Sequence, residues 1–213
     1  MIAKLLNAQL GALLLVMFGV GCPWQTGAQP QPAPRATYNF NPGWKLAVGD
    51  PTNAAVAEFD DSTWKPVTLP HAWNEDWSFK VASVDHPTGV AWYRKHLELP
   101  AADAGRKIFL DVDGAMAYAS VWVNGRLAGG WPYGYSSWRV DLTPLVKFGA
   151  ENTIAIRLEN PDKSSRWYPG AGIYRNVWLV KTAPVRVAHW GTAVTTPKIS
   201  DGMNFNRARQ NMI

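Results

Sequence analysis

Short apolar stretches that alternate with polar residues recur along this chain, separated by turn residues. In residues 107–112, Ile108, Leu110 and Val112 alternate with Lys107, Phe109 and Asp111. That period of two marks a strand with one face buried. Residues 90–99 alternate in part and stop at Pro100. Residues 118–123 lead into Asn124-Gly125 and then Arg126-Leu127-Ala128, which predicts a tight hairpin because both turn residues accept positive φ. Further strands are predicted at 139–142, 153–158 and 177–180, and a last one at 185–194 leads out of the domain. Thr143-Pro144-Leu145-Val146 predicts one helical turn, with Thr143 as its cap and Pro144 at its first position. No long amphipathic helical pattern occurs. About eight short strands without intervening helices predict an all-β, jelly-roll β-sandwich, with loops gathered at its ends and rims.

The two ends of the chain differ from this body. Lys4 precedes an apolar run over 10–20 that is too short for a comfortable membrane span, the pattern of an export signal. Thr26-Gly27-Ala28 suits cleavage before Gln29, and a signal peptide over 1–28 is the preferred reading. Alternatively, Gly21-Cys22 resembles a bacterial lipoprotein box, although Gly19 stands where a branched apolar residue is usual. Cys22 would then carry lipid and hold the chain at a membrane. Either route predicts a periplasmic or extracellular product. A Pro-rich linker is expected over 29–37, the folded body over 38–183, and a strand and linker over 184–199. Residues 200–213 show no alternation and predict a disordered tail.

Composition narrows the classes. With 213 residues, 47% hydrophobic and 17% charged, the chain builds a globular core. Twelve tryptophans imply large rings in a β-rich core, with the remainder on a ligand-facing surface. The net charge of +5 comes from Lys and Arg scattered along the chain, not from the basic stripe of a nucleic-acid binder. The single cysteine, Cys22, excludes an intrachain disulfide.

Candidate chemistry divides into catalysis and binding. The acids Asp60, Asp61, Glu75, Asp76, Asp85, Asp111 and Asp113 contain no pair that stands out as catalytic. Asp60-Asp61-Ser62 reads as a solvated turn. Asp111 and Asp113 share one strand face, where two like charges would share a proton or hold a cation; a solvated edge is the preferred reading. His71, His86, His96 and His189 have no zinc-ligand spacing, Ser136-Ser137 lacks a nucleophile elbow, and no glycine loop cradles phosphate. No cofactor or metal is expected. Binding is better supported. Residues 69–77 (Leu69-Pro70-His71-Ala72-Trp73-Asn74-Glu75-Asp76-Trp77), 131–138 and 166–175 each combine rings with polar groups. Aromatic faces stack on sugar C–H patches, while Arg, Asn and Asp supply directional hydrogen bonds. The structural alternative makes Trp73, Trp138 and Trp178 core plugs and has Arg175 hold an acid on a neighbouring strand.

Several motifs occur in a fixed order: Asn41-Pro42-Gly43-Trp44, Leu69-Pro70-His71-Ala72-Trp73, Gly89-Val90-Ala91-Trp92-Tyr93-Arg94-Lys95, Val121-Trp122-Val123-Asn124-Gly125, Asp141-Leu142-Thr143-Pro144, and the run from Ser165 to Leu179. Together they resemble the amino-terminal sugar-binding domain of glycoside hydrolase family 2, in wording nearest to bacterial β-galactosidase-type members. The likeness covers about 38–196. It implies a galactose-binding-like jelly roll, followed in whole enzymes by an immunoglobulin-like domain and a (β/α)₈ barrel that carries both catalytic glutamates. Those later domains are expected to be missing here, so no residue of this chain is assigned a catalytic role. The resemblance also implies that the jelly roll lends His71, Trp73, Glu75, Asp76, Arg166, Trp167 and Tyr168 to the rim of a pocket for a β-linked, galactoside-like carbohydrate. Ala72 stands where the family's motif has an acid, leaving Glu75 or Asp76 to substitute. The expected partners are this carbohydrate and the catalytic domains, not nucleic acid. A free-standing secreted carbohydrate-binding module and a purely structural domain remain open beside this reading.

Overall fold

A computed structural model describes residues 33–77, 87–164 and 170–195, together with the backbone of 207–212. The expected export signal, residues 29–32 of the Pro-rich linker, and Arg166, Trp167 and Tyr168 lie outside the described residues.

The body is an antiparallel β-sandwich, as the alternating pattern predicts. One sheet has four strands: β1 (Arg35–Asn39), β10 (Val177–Thr182), β5 (Lys107–Val112) and β8 (Trp138–Asp141), adjacent in that order. The other has six: β3 (Lys65–Val67), β2 (Trp44–Val48), β4 (Gly89–Leu99), β9 (Ala150–Asn160), β6 (Ala119–Val123) and β7 (Arg126–Trp131). A single core joins them. Ile108, Leu110 and Val112 of β5 and Leu179 of β10 meet Tyr93 of β4, Val121 of β6 and Ile154, Ile156 and Leu158 of β9. β4 and β9 pair along their whole length, from Gly89 opposite Asn160 to Leu99 opposite Ala150.

Local chemistry accounts for several elements. Asn124 and Gly125 take φ of 50° and 78°, as the predicted tight turn requires. The Asn124 side chain then accepts from the Thr153 amide and donates to Leu145 O and Asn152 Oδ1. The expected helical turn forms, with Leu145 N and Val146 N both donating to Leu142 O. Its cap is not Thr143, however. The Thr143 hydroxyl accepts from Ile108 N, and Asp141 Oδ1 accepts from Thr143 N.

Three departures from the sequence reading are physical in origin. The folded body begins at Arg35, which pairs with Thr182, and not at 38. Strand β1 is mostly exposed, so it carries no alternation to read. Strand β3 has three residues including Pro66, tolerated because it is an edge strand. At the other end, β11 (Val187–Thr195) pairs with β12 (Arg207–Met212). The expected disordered tail therefore contains a strand. Pairing in a two-stranded ribbon needs only backbone groups, so it leaves no hydrophobic period in the sequence.

A second, smaller core lies on the other face of the six-stranded sheet, where Ala54 and Trp64 pack on Trp92 and Ala155. Arg94, fully buried, organises it. The guanidinium donates to the carbonyls of Ala54, Val56, Ala57 and Phe59, and its Nε to Asp61 Oδ2 at 2.9 Å. Asp60 is the exposed turn residue that was expected, accepting from Ser62 N. Asp61 is not solvated: it is 4% exposed and also receives Lys45 Nζ at 2.6 Å.

Candidate carbohydrate-binding site

The connections β5–β6, β7–β8 and β9–β10 all leave from one end of the sandwich, since Val112 faces both Val177 and Trp138 across the four-stranded sheet. Residues 69–77 are laid across this end by backbone hydrogen bonds. His71 N donates to Ile173 O at 2.8 Å and Trp73 N to Ala171 O at 2.9 Å. Asn74, fully buried, accepts from Ala171 N at 3.0 Å and donates to Pro87 O at 3.2 Å. On the opposite side of the same segment, Met116 N donates to Gly172 O and Gly172 N to Met116 O. Tyr174 Oη donates to Gly134 O at 2.9 Å, which attaches the 131–138 loop. The structure therefore gathers two of the three expected loops around the described part of the third.

Gly172 is the pivot of this arrangement. Its φ is +132°, and a Cβ there would lie 2.5 Å from His71 O and 2.6 Å from Tyr93 Oη. Only glycine permits three segments to approach so closely.

His71 is half-buried, with Nδ1 3.1 Å from Tyr93 Oη and its ring edge-on to the tyrosine ring. Burial pushes the imidazole below its ordinary pKa, outweighing the attraction of Glu75 and Asp76, which raises it. Burial also pushes the Tyr93 phenol well above its ordinary range. The pair is thus a neutral imidazole backed by a neutral hydroxyl, the protonation that suits hydrogen bonding to uncharged hydroxyls. Glu75 and Asp76 sit on an exposed single turn of 3₁₀ helix with Trp77. Ala72 contributes only a methyl group next to His71.

The remaining candidates resolve into structure. Trp73 is partly buried against the main core, and Trp138 belongs to it. Trp178 Nε1 donates to Asp113 Oδ2 at 3.0 Å. Arg139 donates to both oxygens of Asp111, at 2.5 and 2.6 Å. Asp111 and Asp113 thus serve different partners, and neither a shared proton nor a cation is needed to explain their proximity. Among the described residues, no group of three or more His, Cys, Asp or Glu side chains is placed to hold a metal ion. Sequence reasoning passed over Tyr93, Asn74 and Gly172, the residues that fix the crossing. Their signal was present: Tyr93 lies in the Trp-Tyr-Arg-Lys run, and Gly172 in the small-residue turn that precedes Ile173.

The model of the glycosyl hydrolase 2 galactose-binding domain-like family matches residues 72–176, which take in the crossing from Ala72 onward and its partners at 171–173. That segment belongs to glycoside hydrolase family 2. Among curated proteins, the family 2 domain is 40% identical over 176 residues to β-galactosidase BoGH2A of Bacteroides ovatus, covering 79% of this chain and 21% of that protein. It is 34% identical over 173 residues to a β-glucuronidase of Formosa agariphila, covering 72% of this chain and 18% of the relative. Among solved structures, a family 2 glycosyl hydrolase of Bacteroides cellulosilyticus superposes with a TM-score of 0.75 at 34% identity, over 83% of this chain and 25% of that one. The chain therefore spans about a fifth of the length of the curated relatives it matches.

Proposed function

We propose that this chain is the sugar-contacting amino-terminal portion of an exo-acting, β-galactosidase-like glycoside hydrolase, and that it supplies contacts to the substrate but none of the groups that break the bond. One observation carries this reading: residues 71–76 cross 171–173 directly. The crossing pairs His71 with Ile173 and Trp73 with Ala171, close in the chain to the candidate residues 166–168. Carboxylates on a short exposed turn accept hydrogen bonds from sugar hydroxyls, and a neutral imidazole adds either a donor or an acceptor. Arg166, Trp167 and Tyr168 complete the same rim in this reading, contributing a guanidinium and two stacking rings.

Amide-resolved NMR titration of the 213-residue chain with methyl β-galactoside, and in parallel with methyl β-glucuronide, tests this. Saturable shifts at the amides of 71–77 and 170–173, lost in His71→Ala and in the paired Glu75→Gln, Asp76→Asn variant, are expected. An unchanged spectrum at tens of millimolar of both sugars would leave the domain a structural one.

We propose in addition that the chain is exported. Lys4 and the apolar run over 10–20 support this. The mass of the mature amino terminus separates cleavage before Gln29 from acylation of Cys22, and an intact Met1 in a secreting host overturns both.

A further inference from the structure

A second surface of this domain has the features of a ligand groove and lies away from the 71–76 crossing. It runs along the β6–β7 edge of the six-stranded sheet and has a volume of about 390 Å³, within the roughly 300–1,000 Å³ range of small-ligand sites. It is lined by the side chains of Tyr118, Leu127, Trp131 and Pro132 and by the backbone around Ser120, Gly129 and Gly130. The pairing of β6 with β7 itself requires both glycines: a Cβ on Gly130 would lie 2.1 Å from Ala119 O, and Gly129, at φ of +155°, stands opposite an irregularity between Val121 and Trp122.

The walls are apolar and open to solvent, Tyr118 being 54%, Leu127 63% and Trp131 43% exposed. Trp131 Nε1 donates to Ser136 Oγ at 2.8 Å. Tyr133 and Tyr135, edge-on to one another at 5.6 Å between ring centres and both exposed, continue the aromatic surface beyond Trp131. Hydroxyls come from Ser120 and Tyr118, and none of the residues that line the groove is charged. Residues 113–117 and 172–174 lie between this groove and His71: Met116 pairs with Gly172, and Tyr174 bonds Gly134.

We infer that this groove is a second carbohydrate subsite, which binds a neutral β-linked oligosaccharide by stacking pyranose faces on Trp131 and Tyr118. Two exposed rings, one of them tied to Ser136 by its indole N–H, suit the flat C–H faces of a sugar. The absence of lining charge matches a neutral saccharide and disfavours a uronate, which would lose its hydration without gaining a cation. Such a subsite holds a chain-like glycan at a distance from the end where His71 lies. It stands whether or not 71–76 contacts sugar.

The test is titration of the 213-residue chain with β-1,4-linked galactotetraose and with a tetrasaccharide that contains glucuronic acid, read by calorimetry and by amide and indole NMR. The neutral sugar is expected to shift the amides of 118–120 and 127–130 and the Trp131 indole, and the acidic one to bind at least about tenfold more weakly. Trp131→Ala and Tyr118→Ala are each expected to weaken binding about tenfold. Leu127→Arg alters a wall that is already in solvent and is expected to abolish binding with the fold intact, whereas His71→Ala leaves the groove's shifts unchanged. Shifts confined to 71–77 and 170–173 would overturn the subsite while leaving the proposed function in place. Groove shifts alone would do the reverse. Groove shifts that follow protein concentration without sugar would make this edge a pairing surface for a second copy and overturn the subsite.

Discussion

Asp61 and Arg94 meet at 2.9 Å beneath the segment that covers the outer face of the six-stranded sheet, and both side chains are almost completely removed from water. The pair ties residues 54–61 to β4, because the same guanidinium gathers four carbonyls of that segment. Removing one partner leaves a buried charge without compensation, which costs about 3–5 kcal/mol. Arg94→Ala is expected to lower the stability of the domain by that order in urea denaturation. Arg94→Lys is expected to recover only part of the loss, because a single ammonium cannot serve four carbonyls in a fixed fork.

The same carboxylate sets an acid limit. Burial pushes Asp61 upward, but hydrogen bonds from Lys45, Arg94 and His96 outweigh it and hold the group at about 2, below its ordinary 3.8. A carboxyl depressed in the folded state contributes its stability above its unfolded pKa and loses it as pH falls through the folded one. The contribution is about 2 kcal/mol, present in full above pH 5 and lost between about pH 4 and pH 2. Urea midpoints measured across that interval are expected to fall in the native chain, with a shallower fall in Asp61→Asn.

At the crossing, Gly172→Ala is expected to destabilise the domain by roughly 1–3 kcal/mol. A Cβ there meets His71 O and Tyr93 Oη well inside van der Waals contact. The amides of His71 and Trp73 should move most, since they bond the residues on either side of Gly172. A variant with native stability and unmoved amides would show that the three segments are not packed as described.

His71 is expected to titrate below its ordinary 6.5, chiefly because of burial. The unfolded chain then holds more protons than the folded one in the interval beneath 6.5. Stability attributable to His71 rises as pH climbs through that interval and is flat above it. NMR of the imidazole carbons across pH 4–8 reads the midpoint directly.

The legible parts of this protein were those in which burial imprints a period. β5 was readable to the residue because Ile108, Leu110 and Val112 face one core and Lys107 and Asp111 do not. The hairpin at Asn124-Gly125 announced itself through its backbone requirement. β1, β3 and β12 left little trace, because an exposed or edge strand is specified by backbone pairing and not by side-chain pattern. The candidate loops were visible as unusual compositions, but their convergence was not. It depends on contacts between residues far apart in the chain, such as Asn74 with Ala171 and Tyr174 with Gly134. Asp61 was misjudged for a related reason. Its neighbour Asp60 is an ordinary turn residue, and only the folded arrangement of Lys45, Arg94 and His96 distinguishes the two.

The most direct test of the central claim, that this chain contacts sugar without cleaving it, is hydrolysis of chromogenic β-galactoside, β-glucuronide and β-mannoside by the purified 213-residue chain. The expected result is no turnover above that of a mock preparation, from a sample that still shows sugar-dependent shifts at 71–77. Turnover that survives removal of the host's glycosidases would require two carboxyls placed about 5–5.5 Å apart across a sugar, and would contradict the account.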